Sequence, residues 1–128
     1  IMEITWDVID SHAHQFRNIG VRADTNVVVL GDYSPAPSLR DVARLALQSI
    51  GASVVEVLPT AAISGQDTDV EASLEFVSSC LASSDYVIDC TDTRLTHNLN
   101  TESIKRYGTE IIVDGKIAWT PVGEPAEE

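Results

Sequence analysis

The chain has 128 residues, of which 44% are hydrophobic and 22% are charged, a length and composition that fit one globular domain with its own core. Its formal net charge of -12 and its 8 lysines and arginines exclude a basic nucleic-acid-binding face and disfavour an anionic membrane surface. Its two cysteines lack metal-ligand spacing and it has neither a signal-peptide pattern nor a membrane-length apolar run, so we expect a cytoplasmic protein.

The first half of the chain predicts two helices that alternate with two strands. Apolar residues at helical spacing in "ITWDVIDSHAHQF" predict a first helix, whose pattern stops at Gly20. The run "NVVVLG" is short and β-branched, which is typical of a strand buried on both faces of a parallel sheet. "LRDVARLALQSI" predicts a second helix up to Gly51, and "SVVEVL" predicts a second strand that Pro59 ends.

The second half continues the alternation. "VEASLEFVSSCLA" predicts a helix, "DYVIDC" a third strand, "THNLNTESIKRYG" a short helix closed by Gly108, and "TEIIV" a fourth strand. Asp-Gly between the apolar runs of "IIVDGKIAW" predicts a hairpin. Together the elements predict a three-layer α/β fold with a mostly parallel, open sheet of the Rossmann or flavodoxin-like kind and an antiparallel hairpin at one edge.

The composition also predicts where the domain ends. We expect residues 1–120 to form a single α/β domain and residues 121–128, with their prolines and glutamates, to form an acidic tail. Ile1 stands before Met2, which is typical of a processed or engineered start. A fragment of a longer protein is therefore one interpretation of this chain.

The expected topology indicates where a ligand would bind. Open parallel sheets bind ligands beyond the carboxyl ends of their strands, where the strand order reverses. A strand order of 2-1-3-4 would bring "GDYSPAP" after the first strand beside "CTDTRLTHN" after the third. The polar side chains of these two loops are the candidate site residues: Asp32, Tyr33, Ser34, Thr91, Asp92, Thr93, Arg94, Thr96 and His97.

Each of these side chains also has a structural interpretation. Thr96 is a good helix N-cap, and Asp92 or Thr93 could hydrogen-bond the loop backbone. Arg94 could pair with a substrate carboxylate or with a neighbouring aspartate. His97, in a first helical turn where the dipole opposes protonation, could accept or relay a proton as a neutral imidazole.

Several other patterns are incomplete. His12 and His14 are two residues apart on a predicted helix and point in different directions, which argues against chelation of one metal ion. The loop after the first strand lacks the dinucleotide and P-loop glycine patterns, and no GxSxG nucleophile elbow is present. Cys80 lies on an apolar helix face, which predicts a core position.

Three segments of the chain carry a resemblance to a known family. They are "FRNIGVRADTNVVVLGD", "ARLALQSIGASVVEVLPT" and "LASSDYVIDCTDTRLTHNLNTESIKRYGTEII". Over about residues 10–113 the chain resembles the N-terminal domain of the family that joins the metallo-aminopeptidases of the aminopeptidase T type, with leucyl aminopeptidase, to 2,5-dihydroxypyridine 5,6-dioxygenase.

The third segment matches the family's S-L-T-H-T motif in part. Leu95, Thr96 and His97 agree with the motif, whereas Arg94 replaces the usual serine and Asn98 replaces the second threonine. The resemblance implies that His97 contacts substrate or acts in acid/base catalysis and that Thr96 is a cap that aims it. The change at Arg94 leaves the substrate class open.

The resemblance also implies what the protein does. It indicates the substrate-side domain, or a small subunit, of a metal-dependent ring-cleaving dioxygenase or aminopeptidase that acts on a small molecule. The family's metal ligands belong to a C-terminal domain. A divalent metal ion, Fe, Zn or Co, would therefore come from that domain or from a larger subunit, and this chain would hold no cofactor. The chain would be inactive on its own, and we expect it to be part of an oligomer.

Two hypotheses from other classes stay open. The first is a non-catalytic α/β binding or assembly module that oligomerises through its edge hairpin and uses Trp6 and Trp119 at an interface. The second is a self-sufficient hydrolase that uses Asp32 or Asp92 with His97. The hydrolase hypothesis still needs a third catalytic group and an oxyanion site.

Overall fold

The computed structural model describes residues 3–31, 38–58, 76–91, 108–114 and 118–121. Residues 76–81 are helical. The other helices and strands, in chain order, are α1 (Trp6–Ile19), β1 (Asn26–Leu30), α2 (Ser38–Ile50), β2 (Ser53–Val57), β3 (Tyr86–Asp89), β4 (Glu110–Asp114) and β5 (Trp119–Pro121).

The five strands form one sheet in the order β2-β1-β3-β4-β5. β1 pairs in parallel with β2 and β3, β3 pairs in parallel with β4, and β5 is antiparallel to β4. The mostly parallel α/β fold with an antiparallel edge pair is thereby confirmed. The observed order also places a reversal between β1 and β3, as the sequence argument assumed.

Buried apolar side chains cover both faces of the sheet. Successive strand residues point to opposite faces, so each strand supplies both layers. α1 and α2 cover one face, where the core includes Phe16, Val29, Leu47, Ile88 and Ile112. The 76–81 helix covers the other face, where the core is made of Val28, Leu30, Val77, Leu81, Val87 and Ile111. The expected three layers are therefore present.

α1 is capped at both ends. The Thr5 hydroxyl accepts a hydrogen bond from Val8 N at 3.2 Å, which satisfies one N–H of the first turn. Gly20 has a φ of 131° and donates its N–H to the Phe16 and Arg17 carbonyls, both at 3.1 Å. Because side chains rarely adopt this φ, glycine is the residue that ends the helix here.

The 76–81 helix corrects one prediction. Cys80 was expected in the core, but it is exposed. Val77 and Leu81 form the buried stripe of this helix, at spacing i and i+4. Phe76 and Cys80 form a neighbouring stripe that faces outward, and Phe76 is 71% exposed. The apolar run in the sequence thus predicted the helix, but it did not predict which of the apolar side chains face the core.

The predicted edge hairpin is observed as the antiparallel pair of β4 and β5. Asp114 is the last residue of β4 and pairs with Trp119, so it is a strand residue rather than a turn residue. Trp119 N donates to the side chain of Gln15 in α1 at 2.9 Å. This long-range contact helps to set the register, whereas the dipeptide preference acts only locally.

Some predictions lie outside the described residues. They include the start of the third helix over residues 70–75, the helix over 96–107 and residues 122–128 of the tail predicted over 121–128, whose first residue, Pro121, ends β5. Within the part of the chain that is described, no helix has the length and apolar character needed to cross a membrane. α1 has 14 residues and α2 has 13.

Candidate functional site

The carboxyl ends of β1 and β3 lie side by side at the reversal of the strand order. Leu30 is paired with Asp89, and Cys90 N donates to the Leu30 carbonyl at 2.8 Å. On the other side, Gly31 N donates to the Val57 carbonyl at 2.9 Å. Hydrogen bonding thus continues to the mouth of the expected crevice, where both loops begin.

Thr91 is the candidate site residue that the structure describes, and it lies at this edge. Its substrate-binding role stays a prediction. The other candidates fall outside the described residues: Asp32, Tyr33, Ser34, Asp92, Thr93, Arg94, Thr96 and His97.

Asp89 fixes the start of the loop after β3. Its side chain is buried, with 3% of the residue exposed, and its Oδ1 accepts hydrogen bonds from Thr91 N at 3.0 Å and from Thr91 Oγ1 at 2.6 Å. Hydrogen bonds to a carboxylate are stronger than neutral ones, and this pattern holds a turn in one conformation. The chain therefore leaves β3 in a direction set by Asp89.

Arg40, in the first turns of α2, lies across the backbone just after β1. A Cβ placed on Gly31 would be 2.5 Å from Arg40 Cδ and 3.1 Å from its Nη1. Only a residue without a side chain lets the guanidinium stem pass this close. Gly31 therefore leaves room for the positively charged Arg40 side chain to lie over the carboxyl end of β1.

The charges around Arg40 form a cluster between α2 and β2. Arg40 Nε is 3.9 Å from one Glu56 oxygen, and Arg44 Nε is 3.1 Å from the other. Arg44 also lies 3.7 Å from an Asp41 oxygen. Partly exposed pairs of this kind contribute about 0–1 kcal/mol each, so their main effect is to orient the arginine side chains.

Cys90 follows β3 and is buried beside these charges. Burial raises the pKa of its thiol strongly, and the carboxylates of Asp89 and Asp114 raise it further, while Arg40 acts in the opposite direction. The thiol stays protonated at neutral pH and is a poor nucleophile and metal ligand. Cys90 is accordingly a core residue, and we assign it no catalytic role.

An open cavity of about 320 Å³ lies at the opposite, amino edge of the sheet. Two of its polar groups already serve the fold. Asp85 Oδ2 accepts from Asn26 N, and Thr25 Oγ1 accepts from Arg22 N, both at 2.9 Å. Ligands of open parallel sheets bind at the other edge, so we assign this cavity no function. Its lining residues are Gly20, Thr25, Asp85, Tyr86, Gly108 and Glu110.

The family resemblance implies a metal ion, and His, Cys, Asp and Glu side chains are the usual ligands of such an ion. Within residues 3–31, 38–58, 76–91, 108–114 and 118–121, no group of three or more His, Cys, Asp or Glu side chains could hold a metal. His12 Nδ1 instead accepts a hydrogen bond from Trp119 Nε1 at 2.8 Å, and His14 is exposed. These two histidines therefore do not act as a pair.

Sequence reasoning missed three residues at the carboxyl edge. Asp89 was overlooked because it ends an apolar strand, yet a threonine two positions later is the signal of a side-chain-to-backbone turn. Glu56 interrupts the apolar run of β2, which marks a charged partner on the facing helix. Arg40 and Arg44 of α2 are those partners, but no sequence pattern indicates the close approach of Arg40 to Gly31.

Solved structures share this fold. A 2,5-dihydroxypyridine dioxygenase from Pseudomonas putida KT2440 superposes with a TM-score of 0.69 at 22% identity, covering 87% of this chain and 35% of that one. CmiS6 gives 0.55 at 18% identity and covers 99% of this chain and 27% of its own. IdnL1 gives 0.53 at 17% identity, covering 95% of this chain and 21% of its own.

Each of these solved structures is a longer chain than this one. This chain spans only about a third or less of each of those structures, as the coverages of 35%, 27% and 21% show. No curated relative matches this chain. The sequence profile of a family described as NicX, 2,5-dihydroxypyridine 5,6-dioxygenase, matches residues 7–115. The chain therefore belongs to the 2,5-dihydroxypyridine 5,6-dioxygenase family.

Proposed function

We propose that this chain is the substrate-side domain, or a small subunit, of a metal-dependent dioxygenase that opens a hydroxylated aromatic ring. The family match over residues 7–115 is the observation that carries the proposal. The chain covers 35% of the P. putida dioxygenase, which supports a further domain or subunit in the complete enzyme.

In this proposal the metal, a divalent Fe, Zn or Co ion, is bound by that further domain or subunit. We propose no described residue as a metal ligand, and we give none of them a part in a reaction step at the metal. Their part is to shape the substrate side of the site at the carboxyl edge of the sheet. The metal's identity is a matter for measurement on the complete enzyme.

His97 is the proposed catalytic residue of this chain, as a substrate contact or an acid/base group, with Thr96 as the cap that aims it. The fixed turn between Asp89 and Thr91 supports this proposal, because His97 follows Thr91 by only six residues in the sequence. We keep the other polar residues of the two loops as proposed substrate contacts: Asp32, Ser34, Thr91, Asp92, Thr93 and Arg94.

The first experiment is native and intact mass spectrometry of the protein purified from its own source. We expect the chain to be part of a longer polypeptide or bound to a larger, metal-containing subunit. A metal-free chain found alone, or only with copies of itself, would contradict the proposal. That result would favour the non-catalytic binding or assembly module.

The second experiment measures oxygen uptake with 2,5-dihydroxypyridine as the substrate of the complete enzyme. We expect His97→Ala to lower turnover by roughly 10²–10⁴-fold, the range of a lost acid/base group. His14→Ala is the matched control, because His14 is exposed on α1 and should leave turnover unchanged. Metal-independent hydrolysis of an ester or amide by the isolated chain, without oxygen uptake, would instead favour the self-sufficient hydrolase.

The aminopeptidase side of the resemblance stays a prediction, and hydrolysis of a peptide amide by the same preparation tests it. The assembly hypothesis loses one of its features, since Trp119 is 5% exposed and packs on Phe16. Trp6 is 77% exposed and stays available to a partner. Oligomerisation and a cytoplasmic location remain predictions.

A further inference from the structure

Trp119 fastens the short edge strand β5 to α1. Its indole Nε1 donates to His12 Nδ1 at 2.8 Å, and its backbone N donates to Gln15 Oε1 at 2.9 Å. The indole also packs on the Phe16 ring, with centroids 5.2 Å apart. β5 has only 3 residues, so contacts with α1 add substantially to the short ladder that pairs it with β4.

The hydrogen bond from the indole defines the protonation state of His12. An indole N–H can only donate, and a neutral imidazole has one donor and one acceptor nitrogen. Because Nδ1 of His12 accepts, the single ring proton lies on Nε2. A second proton would enter at Nδ1, where two donors would then face each other across the 2.8 Å contact with Trp119.

We propose that this contact is a proton-sensitive clip, which docks β5 on α1 while His12 is neutral and releases the Trp119 side chain when Nδ1 takes a proton. The bond between Trp119 N and Gln15 does not titrate, and it is not part of the clip. The clip involves no residue of the proposed catalytic loops. It can therefore be tested whether or not the proposed function holds.

The charges around His12 determine when the clip opens. In the described part of the chain, the charged group that acts on His12 is the Asp114 carboxylate of β4, which favours the protonated form. Burial disfavours that form and is the larger effect, so the pKa of His12 is lowered from its usual 6.5. Trp119 itself carries no charge, and we expect the clip to be closed at neutral pH and to open in acid.

Tryptophan fluorescence tests the proposal. Trp6→Phe removes the exposed tryptophan and leaves Trp119 as the single indole. Between pH 8 and pH 5 we expect the emission of this variant to shift to the red in one transition centred below about 6.5, as the indole becomes solvated. An emission maximum that stays constant over this range would overturn the clip.

Two variants made in the Trp6→Phe background identify the titrating group. His12→Asn keeps an acceptor near the position of Nδ1 but cannot take a proton, so the transition should be lost. His14→Asn removes the exposed histidine two residues away and should leave the transition intact. A transition that persists in His12→Asn would assign the titration elsewhere and refute the proposal.

Nitrogen NMR of the wild-type protein provides a test that needs no substitution. At pH 7.5 the imidazole shifts of His12 should show the proton on Nε2, and the indole N–H of Trp119 should exchange slowly with water. Both signals should change together as the pH falls, with loss of the indole protection. A proton on Nδ1 at neutral pH, or an indole N–H that stays protected after His12 is charged, would refute the clip.

Discussion

At the scale of single residues, the hydrogen bonds from Thr91 to Asp89 are the most specific structural feature of the candidate site. A buried carboxylate that accepts both an amide and a hydroxyl of one residue fixes the backbone at that point. The sequence predicted that Thr91 lies in a candidate binding loop, but it did not indicate that the threonine is hydrogen-bonded back to the strand. Its hydroxyl serves the loop conformation first.

We therefore expect Thr91→Val to lower the free energy of unfolding by about 1–3 kcal/mol, the cost of leaving a buried hydrogen-bonding group of Asp89 less satisfied. Urea denaturation monitored by circular dichroism measures this change. Thr91→Ser retains the hydroxyl and is the matched control, with a smaller loss. Equal stability of the valine variant and the wild type would show that the 2.6 Å bond contributes little.

Gly31 permits a second prediction at this scale. Gly31→Ala would place a Cβ 2.5 Å from Arg40 Cδ, so the arginine must move from its position beside Glu56. We expect a destabilisation of about 1–3 kcal/mol, as for other overpacked positions. The cost should fall in an Arg40→Ala background, because the clashing atoms are then absent.

A double-mutant cycle of Gly31→Ala and Arg40→Ala measures that coupling. Additive effects of the two substitutions would mean that the alanine strains the backbone itself and not the arginine. If the double variant loses less stability than the sum of the two single variants, the close approach of Arg40 to the end of β1 is supported.

At the scale of helices and strands, hydrophobic patterning located the described elements closely. The first strand was predicted over residues 26–31 and is observed as Asn26–Leu30, because a β-branched run buried on both faces has few alternatives. The hairpin register was not predictable in the same way. It involves Gln15 and Trp119, which are 104 positions apart in the sequence, and a local dipeptide carries no information on such a contact.

The contact between α1 and β5 also predicts a dependence of stability on pH. The pKa of His12 is lowered in the folded chain, mainly by burial, so the unfolded chain binds the proton at a higher pH. Stability from this group is therefore complete above about 6.5 and decreases as the pH falls from there through the folded pKa.

Thermal unfolding of the wild type and of His12→Asn between pH 8 and pH 5 measures this effect. We expect the difference in melting temperature between the two proteins to change over that window and to be constant above it. The comparison removes the contribution of the carboxylates, which the two proteins share. A constant difference throughout would mean that His12 titrates alike in the folded and unfolded chains.

At the scale of the whole molecule, the net charge of -12 opposes folding through repulsion among like charges. Raising NaCl from 20 mM to 300 mM should therefore raise the melting temperature, because added ions screen this repulsion. The same salt weakens the pairs of Arg40 and Arg44 with Glu56, but partly exposed pairs contribute little. A melting temperature that falls with salt would show that these pairs outweigh the repulsion.

The overall architecture and the strand order were accessible from the sequence, and the site at the carboxyl edge of the sheet stays a prediction. Strand order follows from general rules of βαβ connection, and those rules located the ends of β1 and β3 correctly. The orientation of Arg40 and the turn at Asp89 depend on contacts between residues far apart or on single side-chain torsions. The proposed role of His97 would depend in addition on the further domain or subunit of the proposed enzyme.

The contrast between the two thiols has a practical consequence. Cys80 is exposed on the 76–81 helix, whereas Cys90 is buried at the end of β3. A thiol reagent should thus modify Cys80 at once and give a singly labelled protein without any engineered substitution. The much slower reaction of Cys90 would then time how often the carboxyl edge of the sheet opens, with and without substrate, in the native chain.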